Sequence, residues 1–312
     1  SRSSTPIRKT EYEYYTDSDS FGDDGHLKTA ILHQYNGSSW DELSTQYYRY
    51  YKEGAALGSE GRMQFALSPE AFQKLSATTD PFAAAPGVVA QFADFKFEYD
   101  DRGRVNKEWT RAGSMEFTYA YTLSTNEIGP NSWTYKTVMG RPDGATETVY
   151  ANYAGSTMLN VLKDGGDEWC SFQSFDFENR VILQADAAAI KGYSESSPSL
   201  LGYNESDGSY TDLEATEGLI KLTSYVDGNF VFEEKIKKGQ TGTEILVSRS
   251  EYLEHTPTGS TESIYLLEKS IAFPDETDPN KTIETSYAYT FHNIPQPSPL
   301  PPLEMKVASR TT

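Results

Sequence analysis

Aromatic and polar residues alternate along several short stretches of this chain. Phe95, Phe97 and Tyr99 alternate with Lys96 and Glu98, so the three aromatic side chains share one face of an extended segment. A period of two residues is typical of a β-strand with one buried face. The same alternation occurs at 11–14, 117–121 and 287–291. The pattern predicts strands that bury their aromatic residues.

Turn residues separate these strands. Asn36-Gly37 is the pair favoured in a type I′ hairpin turn, in which both central residues take a positive φ angle. Gly, Asp, Asn and Pro mark four further turns, at 141–144, 163–166, 226–229 and 256–259. Short strands joined by tight turns predict antiparallel hairpins throughout. The expected fold is all-β, as one continuous, curved antiparallel β-ribbon of stacked hairpins.

One short helix is expected among the strands. Ser68 is a good N-cap residue, and Pro69 fits the first helical position. Phe72 and Leu75 then lie on one face, three residues apart. These features predict a two-turn helix over residues 69–76 that packs on the sheet.

The C-terminal part has a different composition. Five prolines between Pro295 and Pro302 exclude this segment from a helix or a sheet interior and predict an extended polyproline conformation. We expect a β-sheet region over 1–293 and a proline-rich extended strap or linker over 294–312. No earlier domain boundary is expected, and 80–87 is expected to be a loop.

Two segments share a turn motif. Residues 99–105 and 175–181 both read aromatic, Asp, two residues, Gly or Asn, Arg and Val. An aspartate that opens a turn accepts a hydrogen bond from the backbone two residues later, and Gly or Asn tolerates the left-handed backbone that a hairpin needs. One such hairpin cannot bury its aromatic face alone, so copies are expected to stack. The motif residues are Tyr99, Asp100, Gly103 and Arg104 in the first copy, and Phe175, Asp176, Asn179 and Arg180 in the second.

This motif resembles the YD repeat of the Rhs and teneurin families, whose consensus is Tyr-Asp-x-x-Gly-Arg-Leu. Residues 180–220 also resemble the YD-repeat proteins of planctomycete-type bacteria. Phe175 and Asn179 depart from the consensus by mild exchanges. The resemblance implies a ribbon of antiparallel strands that spirals into a hollow shell. In Rhs toxins such a shell encloses a toxin, and in teneurins it forms a cell-surface body. It therefore also implies a secreted or cell-surface bacterial protein.

The self-cleaving Asp-Pro-x-Gly-Leu motif of the family is absent. Asp80-Pro81 and Asp278-Pro279 lack the glycine that the motif requires. The resemblance therefore implies no catalytic residue here. The chain resembles a middle section of a shell or a shorter standalone relative.

Charge and hydropathy narrow the expected partners. The chain has 46 acidic and 27 basic residues, and a net charge of -19 repels phosphate backbones, so no binding to nucleic acid is expected. The mean hydropathy is -0.61, and no apolar run approaches the ~20 residues of a membrane-spanning helix, so no membrane insertion is expected. The first residues do not resemble a signal peptide, and we expect a mature, processed or partial chain.

No cofactor or metal is expected. The single cysteine, Cys170, lies among aromatic residues and is expected to be a small buried hydrophobe. The histidines lack zinc-binding spacings, and no P-loop, GxGxxG or GxSxG motif occurs. Residues Asp17–Asp24 partly resemble an EF-hand calcium loop, but Lys28 stands where its twelfth position needs glutamate. A solvated acidic turn is expected there, with calcium as the open alternative.

The tryptophans suggest a different function. An exposed row formed by Trp40, Trp109, Trp133 and Trp169 would be a platform for carbohydrate, although filling the inner face of the sheet is the expectation. A glycoside-active enzyme would need two facing carboxylates, and no specific pair is indicated.

The expected function is therefore non-enzymatic. We expect a structural, encapsulating or surface interaction protein that forms a section of an Rhs-type β-shell, with a carbohydrate-binding surface module as the alternative. The expected partner is further polypeptide: flanking segments of a larger shell, other copies of the chain, or enclosed cargo.

Overall fold

The computed structural model describes residues 7–55, 58–226, 229–257, 261–276, 278, 280–294 and 303–311. The fold is all-β and antiparallel, as predicted.

The helices are α1 (Pro69–Ser76) and α2 (Pro86–Val89), with a 3-10 turn at Ala187–Ala189. The strands are β1 (Arg8–Tyr14), β2 (Leu27–Tyr35), β3 (Trp40–Tyr50), β4 (Met63–Leu67), β5 (Phe95–Tyr99), β6 (Val105–Thr110), β7 (Met115–Leu123), β8 (Tyr135–Gly140), β9 (Thr146–Ala151), β10 (Thr157–Asp164), β11 (Asp167–Phe175), β12 (Val181–Ala185), β13 (Tyr203–Asn204), β14 (Ser209–Tyr210), β15 (Leu219–Val226), β16 (Phe230–Lys238), β17 (Ile245–His255), β18 (Ile264–Ala272), β19 (Ile283–Ile294) and β20 (Leu303–Thr311).

The chain divides into two compact units. The first comprises Ser1–Thr122, Thr137–Thr148 and Lys163–Asp167, and the second comprises Leu123–Lys136, Val149–Leu162 and Glu168–Thr312. In the first unit, β1 to β7 pair in chain order, each strand antiparallel to the next. In the second unit, β11, β12 and β15 to β20 pair in the same way. Consecutive hairpins therefore build each sheet.

The core of the first unit forms where a helical segment covers β3 and β4. Ser68 caps α1, with its hydroxyl accepting from the Ala71 backbone, and Ala71 and Leu75 are buried. The predicted helix over 69–76 is confirmed, but the expected loop at 80–87 is wrong at its end, because α2 begins at Pro86. The buried residues of this cluster are Tyr15, Tyr47, Phe65, Leu67, Ala71, Leu75, Ala84, Val89 and Ala93.

The core of the second unit is built in the same manner, by a long connection between two paired strands. β12 pairs with β15, and residues 186–218 between them fold over the sheet. Ala189, Leu200, Leu201 and Leu213 of this connection are buried against Phe172, Leu159 and Ile220 of the strands. Cys170 belongs to the same cluster, which confirms its expected burial.

The aromatic alternation predicts the strands but not their burial. The segments at 11–14, 95–99, 117–121 and 287–291 all lie within strands. Phe95 and Phe97 share a face and stack in parallel at 6.1 Å, yet Phe95 is 42% exposed and Tyr14 is 56% exposed. The expectation of a fully buried aromatic face is therefore wrong for β1 and β5, because the covering segments lie over other strands.

One of the predicted turns has a different backbone conformation from the one expected. The Asn36-Gly37 turn exists, but only Gly37 has a positive φ, so the type I′ assignment is wrong. The Asn36 side chain instead accepts hydrogen bonds from the Ser38 and Ser39 backbone, both at 2.9 Å. The turns at 141–144 and 163–166 are confirmed, with Gly144 and Gly165 in the left-handed region. Those at 226–229 and 256–259 fall partly outside the described residues.

The C-terminal segment is more regular than predicted. β20 pairs with β19 along nine residues, from Ile294↔Leu303 to Ser286↔Thr311. The strap or linker expected over 294–312 is therefore wrong for 303–311, because a strand there completes a hairpin across the proline-rich stretch. Residues 295–302, where polyproline was expected, lie outside the described residues. In the described part of the chain, no helix has the length and apolarity to cross a membrane.

Candidate functional site: the aspartate–arginine turns and the tyrosine ladder

The first predicted motif forms a tightly bonded turn between β5 and β6. The Asp100 backbone donates to the Arg104 carbonyl at 2.8 Å, and the Gly103 backbone donates to the Asp100 carbonyl at 3.0 Å. The Asp100 carboxylate accepts from the Arg102 and Arg104 backbone at 3.0 and 2.8 Å, and from Arg104 Nε at 2.8 Å. Gly103 has a φ of 73°, as the motif requires.

The second motif repeats this geometry between β11 and β12. The Asp176 carboxylate accepts from the Glu178 and Arg180 backbone at 2.9 and 3.0 Å, and from Arg180 Nε at 2.7 Å. Asn179 stands where the first motif has glycine, with a φ of 62°. The structure thus brings together the aspartate and the arginine of each copy. Each aspartate accepts hydrogen bonds from the arginine four residues later.

A tyrosine from the next strand of the sheet contacts each motif: β7 supplies it for the first motif and β15 for the second. The Arg104 guanidinium lies 4.3 Å from the ring centre of Tyr121, and Arg180 lies 4.7 Å from that of Tyr225. The Tyr121 hydroxyl donates to the Val105 carbonyl at 2.6 Å, and Tyr225 donates to the corresponding Val181 carbonyl at 2.8 Å. Each turn is therefore stabilised by three residues: the aspartate and arginine of the motif, and a tyrosine that lies outside the motif.

The bond from a tyrosine hydroxyl to a backbone carbonyl also occurs in hairpins that lack the motif. We define the tyrosine ladder as the set of strand tyrosines whose hydroxyl donates to a backbone carbonyl of the preceding paired strand. Burial raises the pKa of Tyr99, Tyr121, Tyr225 and Tyr289, which keeps these hydroxyls protonated as donors. The ladder bonds are Tyr99 to Met63 (2.8 Å), Tyr121 to Val105 (2.6 Å), Tyr225 to Val181 (2.8 Å), Tyr252 to Val231 (2.9 Å) and Tyr289 to Leu267 (2.6 Å).

A shared bulge sets the register of the ladder. Within the described residues, six hairpins carry, towards the end of the first strand, an aromatic residue whose partner is followed by one extra residue on the second strand. A β-bulge of this kind bends the strand and increases its local twist. The aromatic pairs are Tyr14↔Leu27, Tyr50↔Met63, Tyr99↔Val105, Phe175↔Val181, Tyr225↔Val231 and Tyr252↔Leu267. Tyr99, Tyr225 and Tyr252 thus close one hairpin and open the next.

Two of these hairpins form a repeat that the motif search missed. Tyr14, Tyr15, Gly22, Gly25 and Leu27 correspond to residues thirty-six positions later. The later residues are Tyr50, Tyr51, Gly58, Gly61 and Met63. Their backbone bonds match: Tyr15 to His26 and Tyr51 to Arg62 are both 2.8 Å. A constant spacing of thirty-six residues was the sequence signal that would have revealed it.

Two further turns share the backbone frame of the motif without its sequence. Arg141 donates to the Ala145 carbonyl at 2.9 Å, and Asn152 donates to the Ser156 carbonyl at 3.0 Å. Asn152 also uses its side-chain oxygen as the aspartates do, accepting from the Ala154 and Ser156 backbone. Asparagine therefore replaces aspartate where no arginine follows.

Asn179 has a role beyond its tolerance of a positive φ. Its side-chain oxygen accepts from Asn152 Nδ2 at 2.6 Å, and its Nδ2 donates to the Ser156 hydroxyl at 2.7 Å. Asn152, which is fully buried, also donates to the Pro130 carbonyl at 2.8 Å. The exchange of Gly for Asn in the second motif is therefore not merely mild, because it ties two turns of the second unit together.

The aspartates of the two motifs have perturbed acidity. Burial acts to raise the pKa of the Asp100 and Asp176 carboxyls, but the bonds from the arginine side chains and the turn backbone outweigh it. The pKa of each group is therefore lower than its ordinary value. Both motifs are held together best when their aspartates are ionised.

These shifts predict acid sensitivity. A carboxyl whose folded-state pKa lies below its unfolded value of about 3.9 contributes stability above that value and loses it as the pH falls through the folded pKa. We expect the free energy of unfolding to decrease below about pH 4, and less steeply in an Asp100→Asn, Asp176→Asn double variant. Urea unfolding at stepped pH, followed by tryptophan fluorescence, measures this. Equal slopes for the variant and the wild type would contradict it.

The four tryptophans are not equivalent surface residues. Trp133 is buried in the second core and donates to the Glu195 carbonyl, so a ligand cannot reach it. Trp109 donates to Glu116, and the Lys96 ammonium covers its ring at 3.9 Å. Trp40 packs against Tyr35. Trp169 is 46% exposed. A ligand-binding role stays a prediction for this tryptophan.

The acidic segment Asp17–Asp24 is folded around a lysine of the chain itself. Lys52 Nζ donates to the Asp17 and Asp19 carbonyls at 3.0 and 2.7 Å and lies 3.4 Å from the Asp23 carboxylate. Lys28 pairs with Asp19 at 3.4 Å. Among the described residues, no three His, Cys, Asp or Glu side chains are grouped to hold a metal ion.

Comparisons with known proteins add little beyond a distant likeness. No protein-family model and no curated protein match the chain. It is similar to a chain of the crystal structure of TcdB2-TccC3-Cdc42, with a TM-score of 0.32 and 10% identity, and to TcdB2-TccC3, with 0.20 and 11%. TcdB2-TccC3 without its hypervariable C-terminal region gives 0.21 and 11%. Each match covers 86% of this chain and 18% of the other.

Proposed function

We propose that this chain is a section of an Rhs-type YD-repeat β-shell, with a structural or encapsulating role and no catalytic one. The observation that carries the proposal is the tyrosine ladder. Tyr99, Tyr225 and Tyr252 each belong to two successive hairpins, closing one by a hydroxyl bond and opening the next at a bulge. Each hairpin is thereby fastened to its neighbour by a side chain as well as by the backbone.

The repeated bulge supports a curved ribbon in each unit. A bulge bends the strand that carries it, and bulges at the same place in successive hairpins bend them in the same sense. The half-buried ladder rings and the ion pairs on neighbouring strands, such as Arg249 with Glu233 at 2.6 Å, stiffen the faces between bulges. A stiff, evenly bent sheet is suited to enclosing or displaying something, and it needs no cofactor.

The proposed partner is further polypeptide, and the proposed location is the bacterial cell surface or the exterior. An edge strand offers unpaired backbone groups to another strand, and all seven residues of β1 are exposed. The net charge of -19 favours solubility outside the cell and disfavours binding to nucleic acid.

Carbohydrate binding remains the second candidate function, and Trp169 is the observation that favours it. Its ring is 46% exposed on β11, and exposed aromatic rings stack on the apolar faces of sugars. One ring is a smaller platform than an exposed row of four would be.

Removing the ladder hydroxyls tests the structural proposal. We expect a variant with Phe at Tyr99, Tyr121, Tyr225, Tyr252 and Tyr289 to be cut faster by trypsin and to lose amide protection at the five hairpins, because each substitution removes one bond between neighbouring strands. Hydrogen exchange read by mass spectrometry localises the loss. A matched control carries Phe at the exposed Tyr12, Tyr135, Tyr153 and Tyr203.

Two outcomes would count against the proposal. Unchanged protection in the ladder variant would show that the ladder does not hold the hairpins together. Binding of the wild type to a glycan array, lost on Trp169→Ala, would favour the carbohydrate-binding function instead.

A further inference from the structure

The first strand is unusually open for a strand of this fold. Every residue of β1, from Arg8 to Tyr14, is exposed, and within its unit β1 pairs with β2. A strand with one paired edge presents backbone N–H and C=O groups that another strand can bind. The side chains of β1 therefore decide which strand fits there.

The charges of β1 are complementary to those of a second β1 running in the opposite direction. Its first two residues, Arg8 and Lys9, are basic, and Glu11 and Glu13 follow. When two copies pair with Glu11 at the two-fold axis, Lys9 lies opposite Glu13 of the partner subunit, twice. Opposite charges in directly facing positions stabilise a strand pair. The facing Glu11 residues are the unfavourable exception, and each accepts a bond from its own Lys9 at 3.1 Å.

Tyr14 is the second feature that selects this partner. It occupies the same bulge position as Tyr99, Tyr225 and Tyr252, opposite Leu27. Its hydroxyl has no partner among the described residues, and its ring is 56% exposed. Two ladder rings lie on an arginine that directly precedes the neighbouring strand: Tyr121 on Arg104 and Tyr225 on Arg180. In the two-fold pair, Arg8 of the partner subunit lies opposite Tyr14 and supplies that cation.

We propose that β1 is a docking edge for a second copy of this chain, which binds through its own β1 in an antiparallel two-fold pair. Two-fold pairing is the commonest symmetry of homo-oligomers, and each subunit uses the same surface. The proposal deepens the structural function above and rests on it for the role of the edge strands as contacts. The proposal names the partner, the register of the strand pair and the charged residues that determine this register.

Exchanging the facing charges tests this register. We expect the light-scattering mass of the wild type to rise from 34.8 kDa towards twice that value with concentration, and to do so less at high salt. Lys9→Glu and Glu13→Lys should each weaken association about tenfold, because like charges then face each other. An equimolar mixture of the two variants should associate as the wild type does, since each variant supplies the charge that the other needs.

The controls separate this inference from misfolding. The double variant Lys9→Glu, Glu13→Lys should regain self-association, and circular dichroism checks each fold, since Glu13→Lys loses the bond from the Thr29 hydroxyl. A monomeric wild type at all concentrations would overturn the inference and leave the edge to a flanking strand. Association of folded single variants as strong as that of the wild type, or a mixture without rescue, would overturn it as well. The ladder variant tests the structural function independently of all these outcomes.

Discussion

Asn152→Ala is expected to lower the free energy of unfolding of the second unit by roughly 3 kcal/mol. Asn152 is fully buried, and its side chain satisfies the Ala154 and Ser156 backbone N–H groups, the Pro130 carbonyl and the Asn179 amide. Alanine leaves all four groups without this partner and leaves a space where the fully buried side chain was. Urea unfolding followed by the fluorescence of the buried Trp133 measures the loss.

Asn36→Ala is the matched control for this prediction. Asn36 accepts two backbone bonds in its own turn, as Asn152 does, but it is exposed, so water replaces the lost bonds. We expect a loss under about 1 kcal/mol. Asn179→Gly keeps the positive φ and removes the contact with Asn152, so a double-mutant cycle should show coupling of about 1 kcal/mol. Additive effects would refute the link between the two turns.

Tyr225→Ala should be the most damaging substitution in the ladder of the second unit. Tyr225 donates to the Val181 carbonyl, covers the Arg180 guanidinium and opens the hairpin to β16. Alanine removes a half-buried ring, a hydrogen bond and a cation–π contact together, and we expect a loss of roughly 2–3 kcal/mol. Tyr225→Phe removes only the hydroxyl and should cost about 1 kcal/mol.

Tyr153→Ala is the control for the ring, because Tyr153 is 44% exposed and lies outside the ladder. Its effect should stay within about 0.5 kcal/mol. Hydrogen exchange adds a local measurement: Tyr225→Ala should increase exchange in β12 and β16 together, since the side chain is bonded to β12 and the residue pairs with β16 at the bulge. Increased exchange in only one of them would contradict the dual role of Tyr225.

Much of the local structure was predictable because its causes are local. Ser68 and Pro69 begin α1 by capping and by a suitable φ, and both act within one helical turn. The Asp100 and Asp176 turns form because each aspartate bonds groups two and four residues away. Asn36 shows the limit of such reasoning, because its side-chain bonds replaced the expected type I′ backbone.

The candidate site was predictable only in part. The two motifs supplied Asp100, Arg104, Asp176 and Arg180, but the tyrosines that complete them come from other strands. Tyr121 lies sixteen residues from Val105, and Tyr225 lies forty-four from Val181. A pattern within one hairpin contains no information about such a distant partner. The hairpin at Tyr50↔Met63 was missed for a related reason, since a long loop separates its tyrosine from Gly61 and Arg62.

The sequence by itself determined that this chain forms antiparallel hairpins, where its main helix begins and which aspartates organise the motif turns, because these depend on interactions within a few residues. The tertiary structure decided which aromatic residues are buried, which tyrosines form the ladder and why Asn179 stands in place of glycine. Those depend on which strands the connections at 69–93 and 186–218 cover and on bonds between strands far apart in sequence. Long-range packing of this kind is settled only when the sheets assemble.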